Sequence, residues 1–155
     1  MQMRHRISAL FAASAICVGA AATAPAAHAA PSPCALANGK YQGSLTASYE
    51  VIGYDSQGRP QERGGTLSVW HSARCQTLWV RLVKLAQFTD AERLTAISID
   101  YYNVELHRAD YLSRTEMTRG SLESVAVSAG AHGQADVNGS FLGDYQYTAN
   151  STVSF

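Results

Sequence analysis

The chain has 155 residues with twelve basic and twelve acidic side chains, which gives a formal net charge of zero. No basic stripe or charge block is present, and this argues against nucleic acid as the partner. Beyond the first thirty residues no apolar run is long enough to span a bilayer, and the remaining length suits one domain rather than two.

The first residues have the pattern of a secretory signal peptide. Two arginines within the first six residues precede a small, apolar stretch from Ile7 to about Ala22. Ala27 and Ala29 then supply the small side chains that a signal peptidase requires. The sequence therefore predicts a signal peptide over residues 1–29 and a single secreted β domain over residues 30–155, which acts outside the cell.

Two cysteines, Cys34 and Cys75, remain once this signal is removed. In an oxidising compartment an even pair predicts one disulfide. This bridge would close a loop of about 41 residues and stabilise the fold by about 4 kcal/mol in the chain-entropy treatment. The other interpretation is a reactive Cys75 thiol.

The first half of the mature chain is typical of strands separated by turns. Tyr41–Tyr54 is rich in strand-forming residues, and a polar break follows it as far as Gly64–Gly65. Thr66–His71 alternates apolar and polar side chains, whereas Thr77–Leu85 is apolar on both parities, as in a strand that is buried on both faces. Thr89–Glu92 has the spacing of a capping box and predicts one short helical turn.

The second half continues this pattern. Ala96–Leu106 predicts a strand, and Leu106–Met117 stays open between helix and strand. Leu122–Ser128 alternates, and Asn138–Gly139 is the strongest hairpin signal, with Phe141–Phe155 as the strand after the turn. There is no alternation of strands with helices. We therefore expect an all-β fold, a small single-domain antiparallel β-barrel or sandwich of about seven or eight short strands.

The densest local pattern runs from the end of the second predicted strand into the third, around Cys75. It is similar to the core motif of domain-of-unknown-function family 2690, a group of small secreted actinobacterial proteins. The matching residues are Trp70, Ser72, Cys75, Thr77, Trp79 and Arg81. The resemblance implies a small, secreted, disulfide-linked domain and supplies no catalytic residue, and the family's further cysteines are missing here. Because Trp79 and Arg81 share a parity, the Arg81 guanidinium could lie over the Trp79 ring.

Aromatic side chains on the predicted strands are the candidates for a binding surface, because exposed rings stack on sugars or anchor a protein partner. The candidate binding residues are Trp70, Trp79, Arg81, Tyr101, Tyr145 and Tyr147. The structural alternative is that most of these rings fill the core. The expected function is a non-catalytic extracellular binding module without a cofactor. Its ligand would be an envelope polymer, a protein or a small molecule, with no nucleic acid and no membrane span involved.

A small secreted hydrolase is the alternative function. Cys75 or Ser72 would attack the substrate, with a histidine such as His71 as the base. The sequence has neither a G-x-S-x-G elbow nor a cysteine-protease signature, and neighbours such as His71 and Ser72 point to opposite faces of a strand. The carboxylates are scattered, and His132 and Asp136 form only a loose pair, so we predict no catalytic residue and no metal site.

Overall fold

The computed structural model describes residues 42–103 and 107–155. In this part of the chain, nine strands and one short 3-10 helix, Ala86–Phe88, account for the regular structure. The strands are β1 Ser44–Tyr54, β2 Pro60–Ser72, β3 Thr77–Lys84, β4 Arg93–Asn103, β5 Arg108–Thr118, β6 Ser121–Glu123, β7 Val127–Ser128, β8 Gly133–Leu142 and β9 Gln146–Ser154. The predicted signal peptide and Cys34 lie outside the described residues.

The strands form one antiparallel sheet in the order β5-β4-β8-β9-β1-β2-β3-β6, and β7 pairs with β3. The sheet is nearly closed into a barrel. This confirms the predicted all-β class and selects the barrel over the sandwich. The strands are not uniformly short, since β1, β2, β4, β5 and β8 each have ten or more residues.

Side chains bridge the gap between β5 and β6, the two ends of the strand order. The Arg114 guanidinium on β5 donates a hydrogen bond to the Glu123 carbonyl of β6 at 2.7 Å. The Thr118 hydroxyl donates to the Ser121 carbonyl at 3.0 Å. Lys84, buried at the end of β3, donates from Nζ to the Thr118 carbonyl at 2.5 Å. The two ends are therefore joined by side-chain hydrogen bonds to backbone carbonyls.

The core lies inside the barrel and is built from alternate residues of the long strands. Its fully buried aliphatic side chains include Val51, Leu67, Val69, Leu78, Val80, Leu82 and Ile99. Three aromatic rings fill one end of this core. Phe141 and Tyr147 stack with their centroids 4.4 Å apart, and Phe88 of the 3-10 helix packs 4.8 Å from Tyr147. The short helix thus contributes one side chain to the core.

The predicted hairpin turn at Asn138–Gly139 is wrong. Both residues lie in the middle of β8, where Asn138 pairs with Asn150 on β9 and Gly139 pairs with Ile97 on β4. Gly139 faces the core, and a Cβ there would lie 2.8 Å from a Leu67 methyl carbon. The glycine therefore makes room for a close side chain within a strand, a role that local turn statistics do not distinguish from a turn. The chain reverses at residues 143–145 instead.

The ambiguous segment Leu106–Met117 is a strand over its described part, since β5 pairs with β4 along its whole length. Residue 106 itself lies outside the described residues. The segment's charges pair at strand spacing, with Arg108 bound to Asp110 at 2.7 Å and Arg114 to Glu116 at 2.6 Å. Side chains two residues apart lie on the same face of a strand, so these ion pairs fit the observed structure rather than a helix.

The predicted helical turn at Thr89–Glu92 is also wrong. The 3-10 helix lies just before it, at Ala86–Phe88, and the Thr89 hydroxyl donates a hydrogen bond to the Ala86 carbonyl at 2.8 Å. Asp90 accepts the backbone N–H of Ala91 at 2.8 Å. These short-range bonds satisfy backbone groups in a turn and so compete with the capping-box geometry.

The polar break after β1 is shorter than the sequence predicts. Asp55 organises a tight turn by accepting the backbone N–H groups of Gln57 at 2.9 Å and Arg59 at 3.0 Å. These bonds, the one from Arg59 first, lower the pKa of the Asp55 carboxyl. β2 then begins at Pro60 and runs through Gly64 and Gly65. The register shifts here against β1, which marks a β-bulge at the glycine pair.

Candidate functional site

The two tryptophans of the motif around Cys75 form a stacked pair. Trp70 on β2 lies directly opposite Trp79 on β3, with ring centroids 6.3 Å apart and planes 12° from parallel. Trp79 is only 3% exposed, and a Cβ at Gly43 would lie 2.5 Å from its ring. Trp70 is half-buried, and Arg81 is exposed. The structure therefore places Trp79 against Trp70 and leaves Arg81 as the accessible residue of the motif.

The three candidate tyrosines are oriented towards the interior or a turn. Tyr101 is buried opposite Asp110, and burial, with the Asp110 charge, raises the pKa of its phenol. Tyr147 is fully buried and donates a hydrogen bond to Glu62 at 2.6 Å. Tyr145 is half-buried beside it in the β8–β9 turn. Tyr101 and Tyr147 are thus core residues in this fold.

The residues of the predicted nucleophile site are engaged in structural contacts. The Ser72 hydroxyl accepts the backbone N–H of Cys75 at 3.3 Å. The His71 Nε2 lies 3.0 Å from the Gly130 carbonyl, and its ring packs against Phe155 with centroids 4.6 Å apart. These contacts show a buried histidine that binds backbone, not one that is bonded to a nucleophile.

An exposed polar surface lies on the outside of β5, β4, β8 and β9. Residues that are directly opposite on neighbouring strands share a face, and the register aligns four rows of four side chains there. We call these sixteen residues the outer ladder. Its rows, each given from β5 to β9, are Thr115, Ala96, Ser140 and Thr148; Ser113, Ser98, Asn138 and Asn150; Tyr111, Asp100, Asp136 and Thr152; and Ala109, Tyr102, Gln134 and Ser154.

One end of the outer ladder combines exposed aromatic rings with carboxylates. Tyr111 is 63% exposed and lies directly opposite Asp100, while Tyr102 is 45% exposed and lies two residues further along β4. Asp136 lies directly opposite Asp100 on the other side. Since facing Cβ atoms on neighbouring strands are about 5 Å apart, Tyr111 and Asp136 lie about 10 Å apart on either side of Asp100, and a ligand that contacts both rings and both carboxylates must span two strand spacings.

Two shallow depressions meet at this end of the outer ladder. One, of about 370 Å³, is lined by residues that include Tyr102 and Gln134, and the other, of about 460 Å³, by residues that include Asn138 and Asn150. Both share Asp100, Asp136 and Thr152. The Thr152 hydroxyl donates to Asp136 at 2.5 Å, and Asn138 donates to Asn150. The surface therefore offers hydrogen-bonding groups on β8 and β9, on the side of Asp100 that faces away from Tyr111.

Sequence reasoning did not select Tyr102 and Tyr111, although a usable signal was present. Tyr102 shares its parity with Ser98 and Asp100, whereas Tyr101 shares its parity with the apolar Ile97 and Ile99. In a strand with one buried face, the tyrosine on the polar parity is the exposed one. The position of Tyr111 could not be inferred in this way, because its segment was open between helix and strand.

Comparison of the chain with protein-family models, with curated proteins and with solved structures finds no match in any of the three. The resemblance to family 2690 therefore stays a prediction. In the described ranges, no helix is long and apolar enough to cross a membrane. Within the same residues, no group of three or more His, Cys, Asp or Glu is arranged to hold a metal ion.

Proposed function

We propose that this protein is a non-catalytic extracellular binding module and that the outer ladder is its binding face. The observation that carries the proposal is the exposure of Tyr102 and Tyr111 beside Asp100 and Asp136 on one face of the sheet. Exposed rings next to hydrogen-bonding side chains suit a ligand that has both apolar faces and hydroxyl groups, and a sugar ring has both. A polysaccharide of the cell envelope is the ligand that this surface fits best.

The proposal places the ligand away from the core tyrosines and from the tryptophan pair. Tyr101 and Tyr147 belong to the barrel core, so a ligand could reach them only after the barrel is disrupted, and Trp79 is covered by Trp70 and by the chain at Gly43. The hydrolase alternative gains no support, because Ser72 and His71 bind backbone groups rather than one another. A binding role through exposed side chains requires no such pairing.

Secretion and the Cys34–Cys75 bridge are part of the proposal. Cys75 lies in the turn between β2 and β3, and Cys34 lies outside the described residues. A bridge between them would attach the start of the mature chain to this turn, on the strands β2 and β3 that the outer ladder does not include. Binding at the outer ladder should therefore persist when the bridge is reduced, provided that the barrel stays folded.

The test is a co-sedimentation assay of the purified mature protein with insoluble cell-wall polysaccharide. Tyr111→Ala and Tyr102→Ala should each reduce the bound fraction at least fivefold, because each removes an exposed stacking ring. Leu45→Ala is the matched control, since Leu45 is 50% exposed on β1, which lies outside the ladder. Circular dichroism would verify that each variant is folded. Equal binding by the wild type and both tyrosine variants would refute the outer ladder as the binding face.

A further inference from the structure

The charge of the outer ladder is one-sided. Its sixteen residues include Asp100 and Asp136 but no lysine, arginine or histidine. The nearest basic residues in sequence, Arg108 and Arg114 on β5, have the opposite parity and bind Asp110 and Glu116. The ladder itself therefore presents two carboxylates without a cation of its own.

These two carboxylates face one another across neighbouring strands. Asp100 on β4 and Asp136 on β8 are a directly opposed pair. Like charges in this position repel, and such a pair weakens the sheet unless something compensates for it. The Thr152 hydroxyl donates to Asp136 at 2.5 Å, and this bond stabilises the carboxylate but adds no positive charge between the two groups. A cationic ligand would relieve the repulsion.

The two exposed tyrosines are a second and independent indication of the ligand. Tyr111 lies directly opposite Asp100 on β5, and Tyr102 follows Asp100 by two residues on the same strand. The electron-rich faces of tyrosine rings attract ammonium groups as well as the apolar faces of sugars. The rings and the carboxylates together suit a cation that is attached to a ring with one apolar face.

We propose that the outer ladder binds a glycan whose sugars carry free amino groups, that is, a polymer of glucosamine type. This rests on the proposed function and gives it a ligand class. The sugar rings stack on Tyr102 and Tyr111, and an ammonium group donates to Asp100 and Asp136. Because both partners are charged, these hydrogen bonds are stronger than those to neutral hydroxyl groups.

The experiment compares three soluble oligosaccharides by isothermal titration calorimetry at about pH 6, where carboxylates are ionised and amines are protonated. They are oligomers of glucosamine, of N-acetylglucosamine and of galacturonic acid. Glucosamine oligomers should bind at least tenfold more tightly than the N-acetylated ones, and the acidic oligomers should not bind. The affinity for glucosamine oligomers should fall as salt is added, because screening weakens exposed charge pairs.

Two near-isosteric variants separate charge from stacking. The double variant Asp100→Asn with Asp136→Asn should lose the tenfold preference, while it keeps the weaker binding to N-acetylated oligomers. Tyr111→Phe should retain the preference, because it keeps the ring, and Tyr111→Ala should weaken binding to both oligomers.

Tight binding to N-acetylated oligomers, with no preference for free amines, would overturn this inference and leave the binding module intact. An absence of binding to every glycan, in the calorimeter and in the sedimentation assay, would overturn both proposals. Binding of the acidic oligomers would contradict the charge argument directly.

Discussion

The close packing behind β2 and β8 allows a sharp test of the fold with a single type of substitution, glycine to alanine. Gly64 in the β-bulge of β2 faces the stacked rings of Phe141 and Tyr147, and a Cβ there would lie 2.8 Å from the Phe141 ring and closer still to Tyr147. A Cβ at Gly139 on β8 would lie 2.8 Å from a methyl carbon of Leu67 and 2.9 Å from one of Leu82. The test therefore compares the stability of the variants Gly64→Ala and Gly139→Ala.

The two sites should differ in magnitude because their neighbours differ in freedom. Overpacking a core costs about 1–3 kcal/mol. Replacing glycine by alanine also stabilises the protein by about 0.4–1 kcal/mol, because the unfolded chain loses conformational entropy. Leucine methyl groups can shift, so Gly139→Ala should cost about 1 kcal/mol in the free energy of unfolding. The Phe141 and Tyr147 rings stack 4.4 Å apart, so they cannot shift independently. Gly64→Ala should therefore cost about 3 kcal/mol.

The assay is urea and thermal unfolding followed by tryptophan fluorescence, with Gly120→Ala as the matched control. A Cβ at Gly120 would meet no atom within 4 Å, so this variant should be as stable as the wild type or slightly more stable. Gly64→Ala should lower Tm by about 12 °C, from about 4 °C for each kcal/mol in a domain of this size. If Gly64→Ala unfolds at the same urea concentration as Gly120→Ala, the packing described for this end of the barrel is incorrect.

Three further predictions concern buried polar groups and the disulfide. Burial, assisted by the Glu62 hydrogen bond, raises the pKa of Tyr147. The tyrosine therefore ionises at lower pH in the unfolded chain, and the free energy of unfolding of the wild type should fall as the pH rises above about 10. Urea titrations at each pH should show a smaller fall for Tyr147→Phe. Burial lowers the pKa of Lys84 below its usual 10.5, so the unfolded state binds more protons as that pH is approached from below. Wild-type stability should therefore gain on that of Lys84→Met towards pH 10.5, and a constant difference between the two would contradict the burial. Mass spectrometry of the native mature protein should show that Cys34 and Cys75 react with an alkylating reagent only after reduction. Cys75→Ser should lower the free energy of unfolding by about 4 kcal/mol. Alkylation of native Cys75 without reductant would rule out the bridge.

The two errors at Gly139 and Gly64 have the same physical origin. Glycine is common in turns because it adopts backbone conformations that other residues avoid, and the sequence interpretation relied on that preference. Neither position has a positive φ among the described residues, since Gly58 and Gly130 are the glycines that do. At Gly64 and Gly139 the requirement is space for a side chain from a distant strand. Such a requirement depends on long-range contacts that local sequence patterns do not contain.

The candidate site could be predicted only in part for a related reason. Aromatic content indicated a binding surface, but which tyrosine is exposed depends on the face that each strand buries. For Tyr102 the alternation within β4 contained this information. For Tyr111, and for the opposition of Asp100 and Asp136, the register between strands was needed, because those residues are brought together by pairing and not by spacing along the chain.

The sequence by itself determined the all-β class, because alternation with a period of two is a local property that survives any arrangement of the strands. It also determined the apolar parity of β4 and the strand character of β3. The closure of the sheet, the pairing of β8 with β4 and the assembly of the outer ladder were decided by the tertiary structure. They depend on which distant strands pack most closely, and the free energy of that packing outweighs local turn preference, as the position of Gly139 inside a strand demonstrates.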